Sequence, residues 1–440
     1  MTADFLKPDG TNPFGFANRT QPSGDAWGFE NKLDPAAQNF QIDRSYNISG
    51  GKRFYVGGER NVLSFFATAG HTTDYRYTDE TIRNTTTDGT VYKDMTGHKS
   101  AVNISQLALA NVDFDMQNRH HLAYNLMLVH NSTQSVGNYE GKNDTFSDDY
   151  GNQGMTRRQQ VNDNLLIVNQ LTSNWGLTDA LSFDAGVSYN MVRGYEPDRR
   201  INEITKNDTG YGLVGGNTQF RTFAALTEND LNLRGGLVYR LKDSQEEISQ
   251  LRIGYTGRIV NDDFEQTEYN LITLNGPSFT SLNDIALDDF YTSANFGTRF
   301  NVDNAVDKYT VKKNIHSVYA EAVYQFSSRW VANLGVKYDN VDMTVDYNVD
   351  KGNNSIRENY FLPSLNLRYN LTDKHTLRLG ASKTYTLPQS KEISPYRYVG
   401  VNFKSQGNAN LKPSDNYTTT FSAWLPVYTN VPQMPDYLSN

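Results

Sequence analysis

Residues 360–387, YFLPSLNLRYNLTDKHTLRLGASKTYTL, decide the fold. Phe361, Pro363, Leu365, Leu367, Tyr369 and Leu371 share one parity, and Ser364, Asn366, Arg368 and Asn370 share the other. That is the period-2 pattern of a strand, whose side chains alternate between two faces. After the turn residues Leu371, Thr372, Asp373 and Lys374, the alternation resumes with Leu377, Leu379, Ala381, Tyr385 and Leu387 against Thr376, Arg378, Ser382, Thr384 and Thr386. The stretch therefore predicts two antiparallel strands joined by one tight hairpin. Both are longer than the roughly 5–6 residues usual in globular sheets, and one face is polar along its whole length. An oily outside and a wet inside describe a membrane barrel.

Composition agrees. The 440 residues are 37% hydrophobic, and no stretch approaches the ~18 consecutive apolar residues of a membrane-spanning helix. A barrel needs only alternate residues to be apolar, so a modest hydrophobic content is compatible with it. With 28 Tyr, 22 Phe and no Cys, the chain has aromatic residues for interfacial girdles and neither disulfides nor thiolate metal sites. A net charge of -8 argues against a nucleic-acid surface. The opening residues, MTADFLKPDGTNPFGF, have neither the basic n-region nor the apolar h-region of a secretory signal. An outer-membrane barrel requires export, so the chain reads as mature sequence or, as we favour, a piece of a longer one.

Outward from the opening stretch, the same alternation recurs. Residues 1–44 hold Pro8, Pro13, Pro22 and Pro35 without periodicity and read as an extracellular loop segment. The barrel portion, 45–424, carries strands near 46–56, 62–77, 101–114, 122–129, 161–171, 181–192, 226–241, 251–259, 315–326, 330–345, the opening pair and 416–424. Residues 425–440, with three prolines, read as an irregular tail. Short turns at 115–119, 173–178, 242–247, 326–329 and 371–374 alternate with long polar segments at 134–157, 194–225, 261–310, 347–357 and 388–414. A soluble sandwich has no reason to place every long loop at one end, whereas outer-membrane barrels pair short periplasmic turns with long extracellular loops. The count is about thirteen strands, which cannot close as bacterial single-chain barrels do, with an even number and no open edge. The fold class is thus all-β, a partial antiparallel transmembrane β-barrel.

The chain resembles the β-barrel part of TonB-dependent outer-membrane receptors of the kind common in Bacteroidetes. The resemblance is sharpest at SKTYTLP, residues 382–388, followed by Gly407, Asn408, Ala409, Asn410, Leu411, Lys412 and Pro413, which is similar to that family's Gly-Asn-x-x-Leu-x-Pro loop. Ser414 stands where the family usually has Glu. Weaker likenesses are SFDAGVSYNMVRGYEPDRR, residues 182–200, and Tyr139-Glu140-Gly141. The resemblance implies an active importer with a barrel of about 22 strands around an N-terminal plug, coupled through a TonB box to an inner-membrane energiser. Against that template this chain lacks the plug and part of the barrel. The implied partners are outer-membrane lipid, the TonB complex reached through the absent plug, a siderophore, vitamin, peptide or glycan ligand, and a surface lipoprotein. The implied location is the outer membrane of a Gram-negative bacterium.

Chemistry-bearing clusters are few. Seven His are scattered without metal-ligand spacing, and His120-His121 point to opposite faces of a strand, so we expect no metal and no cofactor. Nothing suggests a nucleophile with a positioned His, so no enzyme is expected. Tyr195, Glu196, Asp198, Arg199 and Arg200 lie just beyond a strand end at the expected mouth and are the candidate ligand contacts. Arg would suit a carboxylate or phosphate on the ligand. The plainer alternative is an ion-pair network that holds the loop. Two other functions stay open: a passive or structural outer-membrane barrel, and a secreted glycan-binding β-sandwich.

Overall fold

The computed structural model describes residues 5–8, 10–17, 33–38, 41–58, 60–117, 119–216, 218–244, 247–347, 353–372, 374–394, 397–399 and 404–424. The expected tail, 425–440, lies outside the described residues.

One wall of antiparallel strands makes up the molecule. In chain order they are β1 (Arg44–Tyr55), β2 (Asn61–Thr85), β3 (Val91–Met116), β4 (His120–Asn143), β5 (Gln153–Gly176), β6 (Leu181–Asn207) and β7 (Phe220–Ser244). They continue as β8 (Glu247–Thr273), β9 (Phe300–Gln325), β10 (Trp330–Tyr347), β11 (Asn353–Thr372), β12 (His375–Thr386) and β13 (Ser414–Trp424). Each pairs with its neighbours in sequence, and two short strands, Gly210–Leu213 and Ser278–Phe279, complete a 15-stranded sheet beside this path. The thirteen expected strands are all present. Among the described residues β1 pairs only with β2 and β13 only with β12, so the wall is open along two edges.

Strand lengths depart from the sequence reading. The supposed loops at 134–157, 194–225 and 261–310 are largely strand, since β4 runs to Asn143, β5 starts at Gln153, and β8 and β9 pair from Thr273↔Phe300 downward. Their polar composition hid the ladder.

The two faces differ as the alternation requires. Over the turn-end half of the wall, one face carries Leu181, Phe183, Val187 and Tyr189 of β6 beside Leu231, Leu233, Leu237 and Tyr239 of β7 and Leu251, Ile253 and Tyr255 of β8. Ile253 is 58% exposed, Val318 56%, Phe361 61% and Phe421 70%. A soluble protein does not leave so continuous an apolar surface uncovered. The run Leu181 to Met191 rises about 34 Å along the strand at ~3.4 Å per residue, or ~24 Å at a 45° tilt, matching the ~25 Å apolar band of outer-membrane barrels. Trp175, Tyr239, Tyr324 and Trp330 edge the belt on the turn side, and Tyr189, Tyr255, Tyr338 and Phe361 on the loop side. The opposite, inner face is polar, with Asn174, Asp184, Ser188, Asn232, Arg234, Arg258, Glu321, Lys337 and Arg368. Among the described residues no second layer lies across from the belt, which argues against the β-sandwich alternative.

Above the belt both faces are packed. On the outer side, β5, β6 and β8 contribute Met155, Ile204 and Leu271 to a core with Leu33, Phe279, Ile285 and Leu287. Phe5 joins Val102 and Ile104 on β3, and the ring of Phe16 stacks on His130 at 3.8 Å. The described parts of residues 1–44 therefore lie on the outside of the wall. On the inner side, Ile82, Met95 and Tyr139 pack on Phe146 and Val214 from the loop ends.

Pro363 in the opening stretch has a local reason. β11 is paired on both sides only from Ser364 downward, and above it only β10 is a partner, so the missing N–H falls where the second ladder stops.

Candidate functional site

The site is built where the chain between β12 and β13 folds back over the inner face. The helical turn Ser390–Ile393 opens this strap, with the Gln389 amide donating to Glu392 Oε2 at 2.8 Å. Ile393 is fully buried among Tyr309, Val311, Met343, Val345 and Ile356, all on the inner face of β9–β11, and the Tyr347 hydroxyl donates to its carbonyl. The short pair Arg397–Val399 and Lys404–Gln406 then carries Tyr398 across to β5 and β6.

Gly407, Asn408, Asn410, Leu411 and Pro413 return the strap to β13. A Cβ at Gly407 would run into the carbonyl oxygens of Ser394, Lys391 and Glu392, so only glycine lets the chain pass. Next to it, the Asn408 amide donates to Glu392 O at 2.6 Å, and Asn408 Oδ1 accepts from the Asn410 amide at 2.9 Å. The motif locks the strap onto its own helical turn, and a cavity of about 550 Å³ opens beside it, lined by Lys391, Glu392, Tyr398, Gln406 and Asn408.

Under Tyr398 lie Glu196 and Arg199. The Arg199 guanidinium is 4.4 Å from the Tyr398 ring centre, and its Nη1 is 3.3 Å from Glu196 Oε2. Arg158 Nη2 donates to the Tyr398 hydroxyl and to Gln160 Oε1, both at 2.8 Å, and Gln160 Nε2 donates to Glu196 Oε1 at 2.7 Å. The Arg199 side chain is 1% exposed, yet among the described residues none of its three nitrogens has a hydrogen-bond partner. A buried guanidinium that is ion-paired with Glu196 but not hydrogen-bonded keeps donors for an acceptor-rich ligand.

A bulge divides the five candidate residues. Asp198 adopts φ 59°, and the register slips on both sides of it, between Gln159 and Asp163 and between Thr222 and Ala224. Glu196 and Arg199 face inward as a result. Tyr195 is paired opposite Asp163 on the outer face, and Asp198 and Arg200 join Arg221 there: Arg221 Nε donates to Asp198 Oδ1 at 2.8 Å, and Arg200 Nε lies 3.5 Å from Asp198 Oδ2. All three side chains are buried, so this second group is a brace of the wall. Sequence reasoning missed Arg158, Gln160 and Tyr398. Arg157-Arg158 within a strand was the one available signal, since adjacent strand residues take opposite faces. Arg157 accordingly turns outward to pair with Asp34 at 3.1 Å.

Burial, with the Asp288 carboxylate nearby, lifts the Asp34 carboxyl above its usual range, against backbone hydrogen bonds and Arg157, which lower it. Burial likewise pushes the Tyr291 hydroxyl up, in the same outer layer. Lower on the inner face, Arg234, Arg258, Lys337, Asp339 and Tyr385 line a polar cavity of about 360 Å³.

The model of the TonB dependent receptor-like β-barrel family matches residues 206–430. The chain belongs to that family. Members of this TonB-dependent receptor family reside in the outer membrane of Gram-negative bacteria and act as receptors and transporters, a non-enzymatic class. Among solved structures, the chain is similar to the siderophore receptor PiuA from Acinetobacter baumannii, with 11% identity over 88% of this chain and 55% of that one, TM-score 0.46. It is also similar to the ferric-catecholate import receptor Fiu from E. coli K12 in its open form, with 9% identity over 87% of this chain and 66% of that one, TM-score 0.29. The chain thus spans little more than half the length of the first of these. A comparison with curated proteins finds no match.

Proposed function

We propose that this chain is wall and mouth of an outer-membrane receptor that takes up a scarce nutrient with energy supplied through TonB. Supporting the reading are the family match, the uncovered apolar belt and the polar inner face. The observation that carries ligand capture is the strap: it roofs the inner face at the loop end and sets Tyr398 over a buried Arg199 that has no hydrogen bond among the described residues. In this reading Glu196 and Arg199 contact the ligand and Arg158 and Tyr398 join them. An anionic ligand, such as a siderophore, vitamin, peptide or glycan bearing a carboxylate or phosphate, is the fit. Short turns face the periplasm, where a plug and its TonB contact belong, and the long strands project outward, where a surface lipoprotein can hand over ligand.

The test is uptake in cells expressing the receptor that contains this chain, with and without a functional TonB. Uptake abolished by loss of TonB and weakened at least tenfold in apparent affinity by Arg199→Ala supports the proposal. Steady conductance in planar bilayers with no TonB dependence would replace it with the passive barrel.

A further inference from the structure

At the other end of the wall, far from the strap, the β3–β4 hairpin presents a second cluster on the inner face. Asp113 and Asp115 are two residues apart on β3, so both side chains project to one side from backbone positions about 7 Å apart. His121 on β4 is directly opposite Asp115, and the residue opposite Asp113 is Ala123. A methyl group there leaves room for the imidazole to lean across, which puts His121 Nε2 2.6 Å from Asp113 Oδ2 and Nδ1 3.9 Å from Asp115 Oδ1. One donor atom from each residue falls within 4.8 Å of the others.

Two further observations separate this group from a common surface ion pair. Neither carboxylate pairs with a lysine or arginine among the described residues, so two negative charges share one imidazole. His121 Nε2 is also shielded from solvent and makes no hydrogen bond, although Asp113 Oδ2 is close enough: the ring nitrogen is not aimed at that oxygen. Donor atoms crowded together without pointing at each other are the arrangement of ligands that converge on a third centre.

We propose that Asp113, Asp115 and His121 form a binding site for a divalent ion of the Zn²⁺ class. Metal–ligand distances of ~2.0–2.1 Å in a tetrahedral site place donor atoms about 3.3 Å apart; a single imidazole nitrogen and one oxygen from each carboxylate, all within 4.8 Å of one another, reach that spacing by side-chain rotation. One imidazole among only three ligands disfavours Ca²⁺ and Mg²⁺, which prefer an all-oxygen shell. Asn174, directly opposite His121 on β5, is placed to offer a fourth oxygen, and water can fill the position otherwise. His121, Asp113 and Asp115 keep 44, 23 and 46% of their side-chain surface open, so the ion has a path from the inner space. Bound there, it would staple β3 to β4 one pair in from their turn.

Titrating the full chain, folded in detergent and stripped with chelator, with Zn²⁺ by calorimetry and with Co²⁺ by visible absorption tests this directly. One ion per chain is expected, with a tetrahedral-type Co²⁺ band. Asp113→Asn and His121→Ala are each expected to weaken Zn²⁺ binding at least tenfold while leaving metal-free melting of the chain unchanged. Absence of stoichiometric binding overturns the proposal, as does binding that survives both substitutions, which would be surface adsorption. Loss of metal-free stability in Asp113→Asn with no binding in the parent chain shows a plain His–Asp ion pair and overturns it as well.

Discussion

The wall has two halves with the same backbone and opposite chemistry. In the turn-end half, β6 from Leu181 to Met191 alternates strictly, one face uncovered and apolar, the other polar. In the loop-end half, the same strand contains a bulge and is buried on both faces from Pro197 to Asn202, under the outer layer anchored by Leu33 and under the strap. The first half takes its stabilising environment from a solvent it does not carry, and the second brings its own. The difference teaches that a barrel wall is one structure with two kinds of adhesion, and each can be broken separately.

The largest break is expected in the loop-end half. Asp198→Ala removes the buried carboxylate that Arg200 and Arg221 share and should cost about 3–5 kcal/mol, read as loss of amide-exchange protection above the belt while the belt strands stay protected. Next comes the belt itself. Leu237→Arg puts a charge on the lipid face and should lower unfolding stability in bilayers by about 2–4 kcal/mol, whereas Thr172→Lys on the inner face should change it by less than about 0.5 kcal/mol. Equal effects from these two would undo the assignment of faces. Third, Gly407→Ala should destabilise the strap by about 1–3 kcal/mol through overpacking and raise proteolysis there without touching the belt.

A smaller, pH-dependent effect belongs to Asp34. Its folded-state pKa is raised, so its contribution to stability is fully present below the unfolded carboxyl value of about 3.9 and is lost as pH rises through the higher folded value. Asp34→Asn should flatten that slope in the loop-end half alone, as measured by urea melts across acidic pH. Least of all, Asp342→Ala breaks an ion pair with Arg357 at 3.4 Å whose partners are 45 and 73% exposed, and should cost no more than about 0.2–1 kcal/mol.

The same contrast explains what the sequence reveals. Alternation is legible where one face meets lipid and the other water, so the opening hairpin and the Leu181–Met191 run read correctly as strands, and their number follows. Where both faces are packed, period 2 disappears. The continuation of β4 through Gln134, Val136 and Asn138 therefore reads as a polar loop although every one of those residues is paired. At the site, the charge cluster after Gly194 is visible, but the bulge at Asp198 that sends Arg199 inward and Arg200 outward is a backbone event with no letter of its own. Tyr398 meets Arg158 across 240 residues, a contact no local pattern encodes.

Strand length sets how far the receptor stands proud of its membrane. β6 has 27 residues, roughly 90 Å of chain, which at a 45° tilt gives a height of roughly 60 Å. In the proposed receptor only about 25 Å of that is sunk in hydrocarbon, so roughly 35 Å of wall extends beyond it, and cargo would be met at its parapet.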